Sequence, residues 1–284
     1  MQTKRPNWLK AKLPGGKEYY RLKDILRSAN LHTVCEEAIC PNIGECFGQG
    51  TATFLILGDV CTRSCNFCAV TKGNPSVLDE DEPERIAWVV EQIGLRHVVI
   101  TSVTRDDLPD GGAKIYARTI KTIRTNNPAC TIEVLVPDFK GSEEALKIVL
   151  KECPDILNHN LETVPRLYPD IRPQSEYVRS LSLLEKAKKI YADCTTKSGL
   201  ILGMGEEYDE IIDVMKDLRE VDCDILTIGQ YLSPGKQFIP IETFYHPDEF
   251  KRLKYEGEKM GFKHVESGPL VRSSYHASAQ FNFV

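Results

Sequence analysis

From about residue 54 onward the chain alternates short β-branched runs with longer amphipathic segments, and this alternation narrows the possible folds more than any other feature. The strand-like runs fall at 54–57, 97–101, 131–136, 155–159, 200–202 and 224–228. Helical patterns lie between them. Ile86, Val89, Val90 and Ile93 repeat at helical spacing behind Pro83. Ser142, followed by Glu143 and Glu144, reads as the N-cap and acidic first turn of a helix running through Leu150. Ile211, Met215 and Leu218 form another one-sided stripe, and residues 247–260 close the series before Gly261.

Strands separated by helices imply right-handed βαβ units and a parallel sheet, hence the α/β class. Six such units fit an incomplete (β/α)6 TIM-like barrel better than a full eightfold one. A doubly wound open sheet stays open as an alternative, because periodicity does not decide closure. In such barrels chemistry sits in the loops after the strands, where the polar stretches 101–107, 158–162 and 203–207 fall. The flanking segments fit no βα unit. The expected organisation is an N-terminal extension over 1–50, a partial barrel over 51–265 and a C-terminal extension over 266–284.

Composition excludes several classes. At 284 residues, 42% hydrophobic and 27% charged, the chain suits one large α/β domain or two small ones. No apolar run reaches membrane-crossing length and no signal-peptide core follows Met1, so neither a membrane nor export is expected. The first thirty residues carry eight Lys or Arg against Glu18 and Asp24, whereas the whole chain sums to −5. This arm is Lys-rich and poor in Ser, unlike a transit peptide, and the expected location is the cytoplasm. The acidic balance and the lack of an aromatic–basic motif argue against nucleic acid.

Six of the ten cysteines crowd into positions 35–68. A disulfide framework of that density belongs to short secreted chains, so clustering here favours metal ligation. Cys61, Cys65 and Cys68 have the spacing CxxxCxxC and follow the first strand. A [4Fe–4S] cube ordinarily takes four thiolates, and three leave one iron open to a small chelator. S-adenosylmethionine offers an amine and a carboxylate for that purpose. Zinc generally prefers paired ligands from two loops and is the weaker reading. The stretch CTRSCNFC resembles the signature of the radical S-adenosylmethionine (radical SAM) superfamily.

Upstream, Cys35, Cys40 and Cys46 form CxxxxCxxxxxC within CEEAICPNIGEC, a spacing outside the common zinc patterns. Together with CTRSCNFC and the terminal RSSYHA, this motif closely resembles the lipoyl synthase family. RPNWLKAKLPGG, VTRDDLPDGGA and NHNLETVPRLYP resemble it too, so the likeness runs from Arg5 to Ala277.

The resemblance implies two [4Fe–4S] clusters and S-adenosylmethionine. Cys61, Cys65 and Cys68 would hold the cluster that cleaves the cofactor, and Cys35, Cys40 and Cys46 an auxiliary cluster. The fourth auxiliary ligand in the family is a serine of the RSSY motif, which places the role on Ser274. An alkoxide is a harder ligand than thiolate, matches a sulfide cluster less well and is more readily released. The implied reaction inserts two sulfurs at C6 and C8 of an octanoyl chain amide-linked to a lysine of a carrier protein or domain. Each unactivated C–H bond gives up hydrogen to a 5′-deoxyadenosyl radical, and the auxiliary cluster is the sacrificed sulfur donor. The implied partners are the octanoylated lipoyl carrier, an electron donor such as flavodoxin or ferredoxin, and an iron–sulfur carrier for cluster repair. Two alternatives are another two-cluster radical enzyme, for sulfur insertion or methylthiolation, and a non-catalytic iron–sulfur electron-transfer protein.

Weaker signals have plainer readings beside them. Asn158, Asn160 and Glu162 end a strand and suit contacts to the cofactor's methionine or ribose, or else cap a helix. Gly199, Gly203 and Gly205 suit close backbone approach to a ligand, or a tight turn. Glu206 suits the adenosine hydroxyls, or is an exposed loop carboxylate. Arg179 suits the cofactor carboxylate, or is a surface charge. Asp106 and Asp107 read as turn or salt-bridge acids, and His159 and His276 as hydrogen-bonded side chains rather than ligands. Cys130, Cys153, Cys194 and Cys223 lack ligand spacing and read as small buried residues.

Overall fold

The computed structural model describes residues 5–281, which divide into two compact units. The first comprises residues 11–63 and 69–157; the second comprises 5–10, 64–68 and 158–281.

In the first unit, helix α1 (Lys17–Ser28) buries Tyr19, Leu22 and Leu26. A two-residue strand, His32–Thr33, then runs antiparallel to β1 (Thr53–Ile56), with His32 opposite Leu55 and Thr33 opposite Phe54. All four residues of β1 are buried, as in an interior parallel strand covered on both faces. Strands β2 (His97–Ser102) and β3 (Thr131–Leu135) continue in parallel, Thr53 facing Val99 and His97 facing Thr131. Helix α2 (Glu82–Ile93) starts on Pro83, buries Ile86, Val89 and Val90, and stops at Gly94 in the left-handed region. Helix α3 (Ala113–Asn126) buries Ile115, Tyr116, Ile120 and Ile123. Each such fully buried aliphatic side chain contributes about 1.5–3 kcal/mol. Helix α4 (Glu143–Leu150) is capped by Ser142, whose hydroxyl accepts from the Ala145 N–H at 3.2 Å. Strand β4 (Ile156–Asn158) follows Asp155, whose N–H donates to the Ile132 carbonyl while its carboxylate accepts from the Ile132 N–H.

The second unit contains α5 (Tyr177–Ile190), β5 (Thr195–Leu202), α6 (Tyr208–Glu220), β6 (Ile225–Gln230), α7 (Pro247–Lys259) and β7 (His264–Gly268). Its strands are parallel, with Lys197 facing Ile225 and Ile225 facing His264. Capping boxes start both later helices: Glu207 with Glu210 at α6, and His246 with Glu249 at α7. At the start of β6 the buried Asp224 accepts from the Thr196 N–H at 2.8 Å and pairs with Lys188 at 2.5 Å and Lys263 at 3.1 Å.

All six expected strands are present. Strand β5 begins five residues before its expected start at 200, because the run Thr195–Thr196–Lys197–Ser198 is buried despite its polarity. Strand β7 was not expected: in HVESG only Val265 is fully buried, which leaves no apolar alternation to detect. Among the described residues no helix is long and apolar enough to cross a membrane.

Candidate active site

In the first unit the chain leaves β1 through Leu57 (φ 69°) and Gly58 (φ 90°), a left-handed turn that aims the following loop away from the strand. The Leu57 N–H donates to the buried Glu82 carboxylate at 2.8 Å. Burial holds the Glu82 carboxyl above its ordinary pKa. Val60–Cys61 pairs in parallel with Thr71–Lys72. The Cys61 Sγ accepts from two backbone N–H groups, Arg63 at 3.4 Å and Thr104 at 3.3 Å. Hydrogen bonds onto sulfur are among the levers that tune iron–sulfur ligation. The Thr62 hydroxyl donates to the Thr104 carbonyl and accepts from the Asp106 N–H, so the loop is fastened to the segment after β2. Asp106 and Asp107 each hold an arginine, Arg63 at 2.8 Å and Arg105 at 2.9 Å, as the salt-bridge reading has it.

The upstream cysteines also belong to the first unit. The Thr33 hydroxyl caps a turn of helix, Val34–Glu37, that carries the buried Cys35. Ile39 then takes a left-handed φ of 52°, and the Cys40 N–H returns to the Cys35 carbonyl at 3.0 Å. A second turn, Ile43–Cys46, ends on a Cys46 carbonyl that accepts from both the N–H and the hydroxyl of Thr51. Gly44 is obligatory there, since a Cβ would stand 2.5 Å from the Lys12 carbonyl oxygen and 2.7 Å from Leu13 C. The thiols feel one another's charge. Burial and then Cys40 push Cys35 up to about 12, and burial and then Cys40 push Cys46 up to about 11. Three thiols so placed ionise together only if positive charge joins them, which fits an iron–sulfur core. Among the described residues no three His, Cys, Asp or Glu side chains already stand as a metal-holding group.

Cys65 and Cys68 lie in the second unit. Their turn is fixed from both sides. The Ser64 N–H and hydroxyl donate to Gln174 Oε1 at 2.7 and 3.0 Å. The Asn66 amide donates to the Asp170 carbonyl, its backbone N–H to the Ile171 carbonyl, and the Cys68 N–H to the Cys65 carbonyl. Phe67 packs on a cluster of Ile171, Met204 and Tyr231. Arg179 pairs with Glu176 at 2.6 Å and donates to the Gln174 carbonyl at 3.0 Å, bracing the residue that holds Ser64.

The remaining cofactor-site candidates gather beside β5. The segment after β4 is hydrogen-bonded to β5 through His159 N–H to the Lys197 carbonyl and Glu162 N–H to the Gly199 carbonyl. Asn158 is buried; the Asn160 amide donates to Glu162 Oε1 at 3.0 Å. Asn160 Oδ1 is buried without a protein partner among the described residues, as a ligand-facing acceptor would be. Glu162 takes φ 69°, and its carboxyl is raised by burial while Arg172, Asn160 and Arg272 oppose the rise.

Glu206 is buried rather than exposed. Its carboxylate accepts from Gly203 N–H at 2.8 Å, Met204 N–H at 2.9 Å and the Thr163 hydroxyl at 3.0 Å, closing the turn after β5. Gly203 (φ 114°) leaves no room for a Cβ against the Gln230 amide. Ser274 is partly exposed in a turn where the Tyr275 N–H donates to the Arg272 carbonyl and the Ala277 N–H to the Ser274 carbonyl. His159 is buried and His276 exposed, its ring stacked on Tyr275 at 3.9 Å.

Sequence reasoning passed over Arg63, Asp138, Arg172 and Gln174. Arg63 had a signal, since it lies inside the CxxxCxxC loop, and Asp138 follows β3 where barrel chemistry sits. Gln174 lies in a loop with no periodic pattern to mark it.

The sequence profile of the radical SAM superfamily matches residues 55–218, and that of the N-terminal domain of lipoyl synthase matches residues 1–40. The chain resembles solved structures of HydG, a maturase of the [FeFe]-hydrogenase (TM-score 0.59, 15% identity, 74% of this chain, 49% of that one). It also resembles methylornithine synthase PylB (TM-score 0.53, 16% identity, 67% of this chain, 55% of that one). This chain therefore spans about half the length of those solved chains. At that identity the likeness shows the fold, an α/β protein with the incomplete barrel expected from the six βα units. Fold, profile and cysteine loop define a radical SAM enzyme, a class built on a [4Fe–4S] cluster and S-adenosylmethionine.

The lipoyl synthase of Rubrobacter xylanophilus is 58% identical over 97% of this chain and 86% of its own length. Those of Caldanaerobacter subterraneus and Halalkalibacterium halodurans are 54% and 55% identical, over 98% and 99% of this chain and 97% and 93% of their own. The chain belongs to the lipoyl synthase family.

Proposed function

We propose that this chain inserts two sulfur atoms, at C6 and C8, into an octanoyl group borne on a lysine of a lipoyl carrier protein or domain. The observation that carries the reading is the presence of two three-cysteine sets of different build. Cys40 sits close enough to Cys35 and Cys46 to raise the pKa of both, apart in sequence from the CxxxCxxC loop. In this reading Cys61, Cys65 and Cys68 hold one [4Fe–4S] cluster, and Cys35, Cys40, Cys46 and Ser274 hold the second. When bound, the first cluster and S-adenosylmethionine supply hydrogen abstraction from an unactivated C–H bond, and the second supplies sulfur.

The chain's own groups do the positioning. Asn160 Oδ1 is left as an acceptor because its amide is given to Glu162, and Gly199 keeps the space above it clear. Glu206 holds the Gly203–Met204 turn in place beyond the end of β5. Arg179 acts through Gln174 on the cysteine turn, and Asn158 is fully buried at the end of β4. Reductive cleavage needs an electron from outside, so a flavodoxin- or ferredoxin-type donor belongs to the proposal. A consumed sulfur source must be rebuilt, so an iron–sulfur carrier does too. The location that goes with these partners is the cytoplasm.

The test is an iron and sulfide count by Mössbauer spectroscopy after anaerobic reconstitution, with and without Cys35→Ala/Cys40→Ala/Cys46→Ala. Two cubanes predict about eight irons per chain, falling to about four in the triple variant. The triple variant should still cleave S-adenosylmethionine while making no lipoyl product from an octanoyl-lysine peptide. About four irons in both proteins would sink the reading.

A further inference from the structure

Arg63 lies two residues from Cys61 and two from Cys65, yet its side chain is only 4% exposed. A guanidinium so buried must recover its lost hydration from partners. Its Nε and Nη2 grip both oxygens of Asp106 at 2.8 and 3.0 Å, and Nη2 also reaches the fully buried Asp138 at 2.6 Å. The three side chains come from the loops after β1, β2 and β3. The same stretch is tied through its backbone, because the Arg63 N–H is a donor to Cys61 Sγ and Thr62 is bonded to Thr104 and Asp106. Asp138 is itself fixed, accepting from the Lys140 N–H at 3.0 Å, and the Lys140 amine donates to the Asp106 carbonyl. The clamp carries one positive and two negative charges, so each member tunes the field beside the sulfur.

We propose that Arg63, held by Asp106 and Asp138, is a positioning residue that sets the orientation of Cys61 and the charge around the cluster it ligates. The proposal rests on Cys61 being a cluster ligand, and the experiment separates the two. In the full chain carrying Cys35→Ala/Cys40→Ala/Cys46→Ala, iron content and the EPR-monitored midpoint potential are measured for Arg63→Gln, Arg63→Lys, Asp106→Asn and Asp138→Asn. Arg63→Gln removes a positive charge and should shift the potential to more negative values. Asp106→Asn and Asp138→Asn break the same clamp but should shift it to more positive values. A residue that merely supports the fold would move all of them in one direction. Arg63→Lys keeps the charge without the planar fork, so it should hold the parent potential with reduced iron loading. If Arg63→Gln does not fold, the sign of the two aspartate variants still decides. Shifts of the same sign in the arginine and aspartate variants, or none in the aspartate variants, overturn the proposal. Cys61→Ala is the control: full iron retention there would defeat the ligand assignment itself, whereas iron loss there beside an unshifted Arg63→Gln would defeat this inference alone.

Discussion

Gly199 lies directly against Asn160: a Cβ at Gly199 would stand 2.9 Å from Asn160 Oδ1 and 2.7 Å from the Thr227 hydroxyl. The glycine is therefore what lets Asn160 keep its amide on Glu162 and its Oδ1 clear. Gly199→Ala should push Asn160 aside, raising the KM for S-adenosylmethionine roughly tenfold at a stability cost of about 1–3 kcal/mol. Isothermal titration with the cofactor and a thermal melt check both halves; unchanged affinity would mean that Asn160 does not face the cofactor.

The Glu206 carboxylate serves its own loop. Glu206→Ala orphans the Gly203 and Met204 N–H groups and should cost about 2–4 kcal/mol, with cofactor affinity falling alongside. Glu206→Gln keeps an oxygen for those donors and should retain most of both. Chemical denaturation beside cofactor binding distinguishes this from a carboxylate that grips ribose hydroxyls, for which Gln would lose affinity without losing stability.

Gly44→Ala is expected to displace the 12–14 backbone, because the clash is with main-chain atoms rather than a flexible side chain. The turn Ile43–Cys46 moves with it. Iron per chain should fall from about eight toward about four while S-adenosylmethionine cleavage persists. An unchanged iron count would show that the arm's close approach is not needed for the auxiliary site.

Acid should destabilise the β5–β6 register through Asp224. Burial opposes its ionisation, but Lys188, the Thr196 N–H and Lys263 more than offset it and hold its carboxyl below the ordinary 3.8. A depressed folded-state pKa means the contribution is complete above the unfolded value and is lost as pH falls through the folded one. Asp224→Asn should cost about 3 kcal/mol at pH 7 and flatten the stability profile below pH 4, a difference read from urea melts across pH. Parallel profiles for both proteins would assign the acid sensitivity elsewhere.

Strand and helix order was legible because β1 to β6 each contain an apolar run, with helical stripes between them, and the CxxxCxxC loop pointed to the superfamily whose profile the chain matches. What escaped was polar. Lys197 and Ser198 are buried in β5, where a hydropathy pattern reads a loop. Val265 alone does not mark β7 as a strand. Glu206 was read as a choice between a ligand contact and an exposed acid, and it is neither exposed nor short of partners within its loop. Arg63 and Asp138 are 75 positions apart, a pairing that no local periodicity encodes.

The His32–Thr33 strand has a bearing on solubility. It sits against β1 on the side away from β2, covering backbone groups that would otherwise be open to another chain. The next residues carry Cys35, Cys40 and Cys46, so the segment proposed to hold the auxiliary cluster also covers the sheet's edge. Were that segment to unfold on loss of a bound cluster, it would uncover the buried edge of β1, and self-association would accompany inactivity.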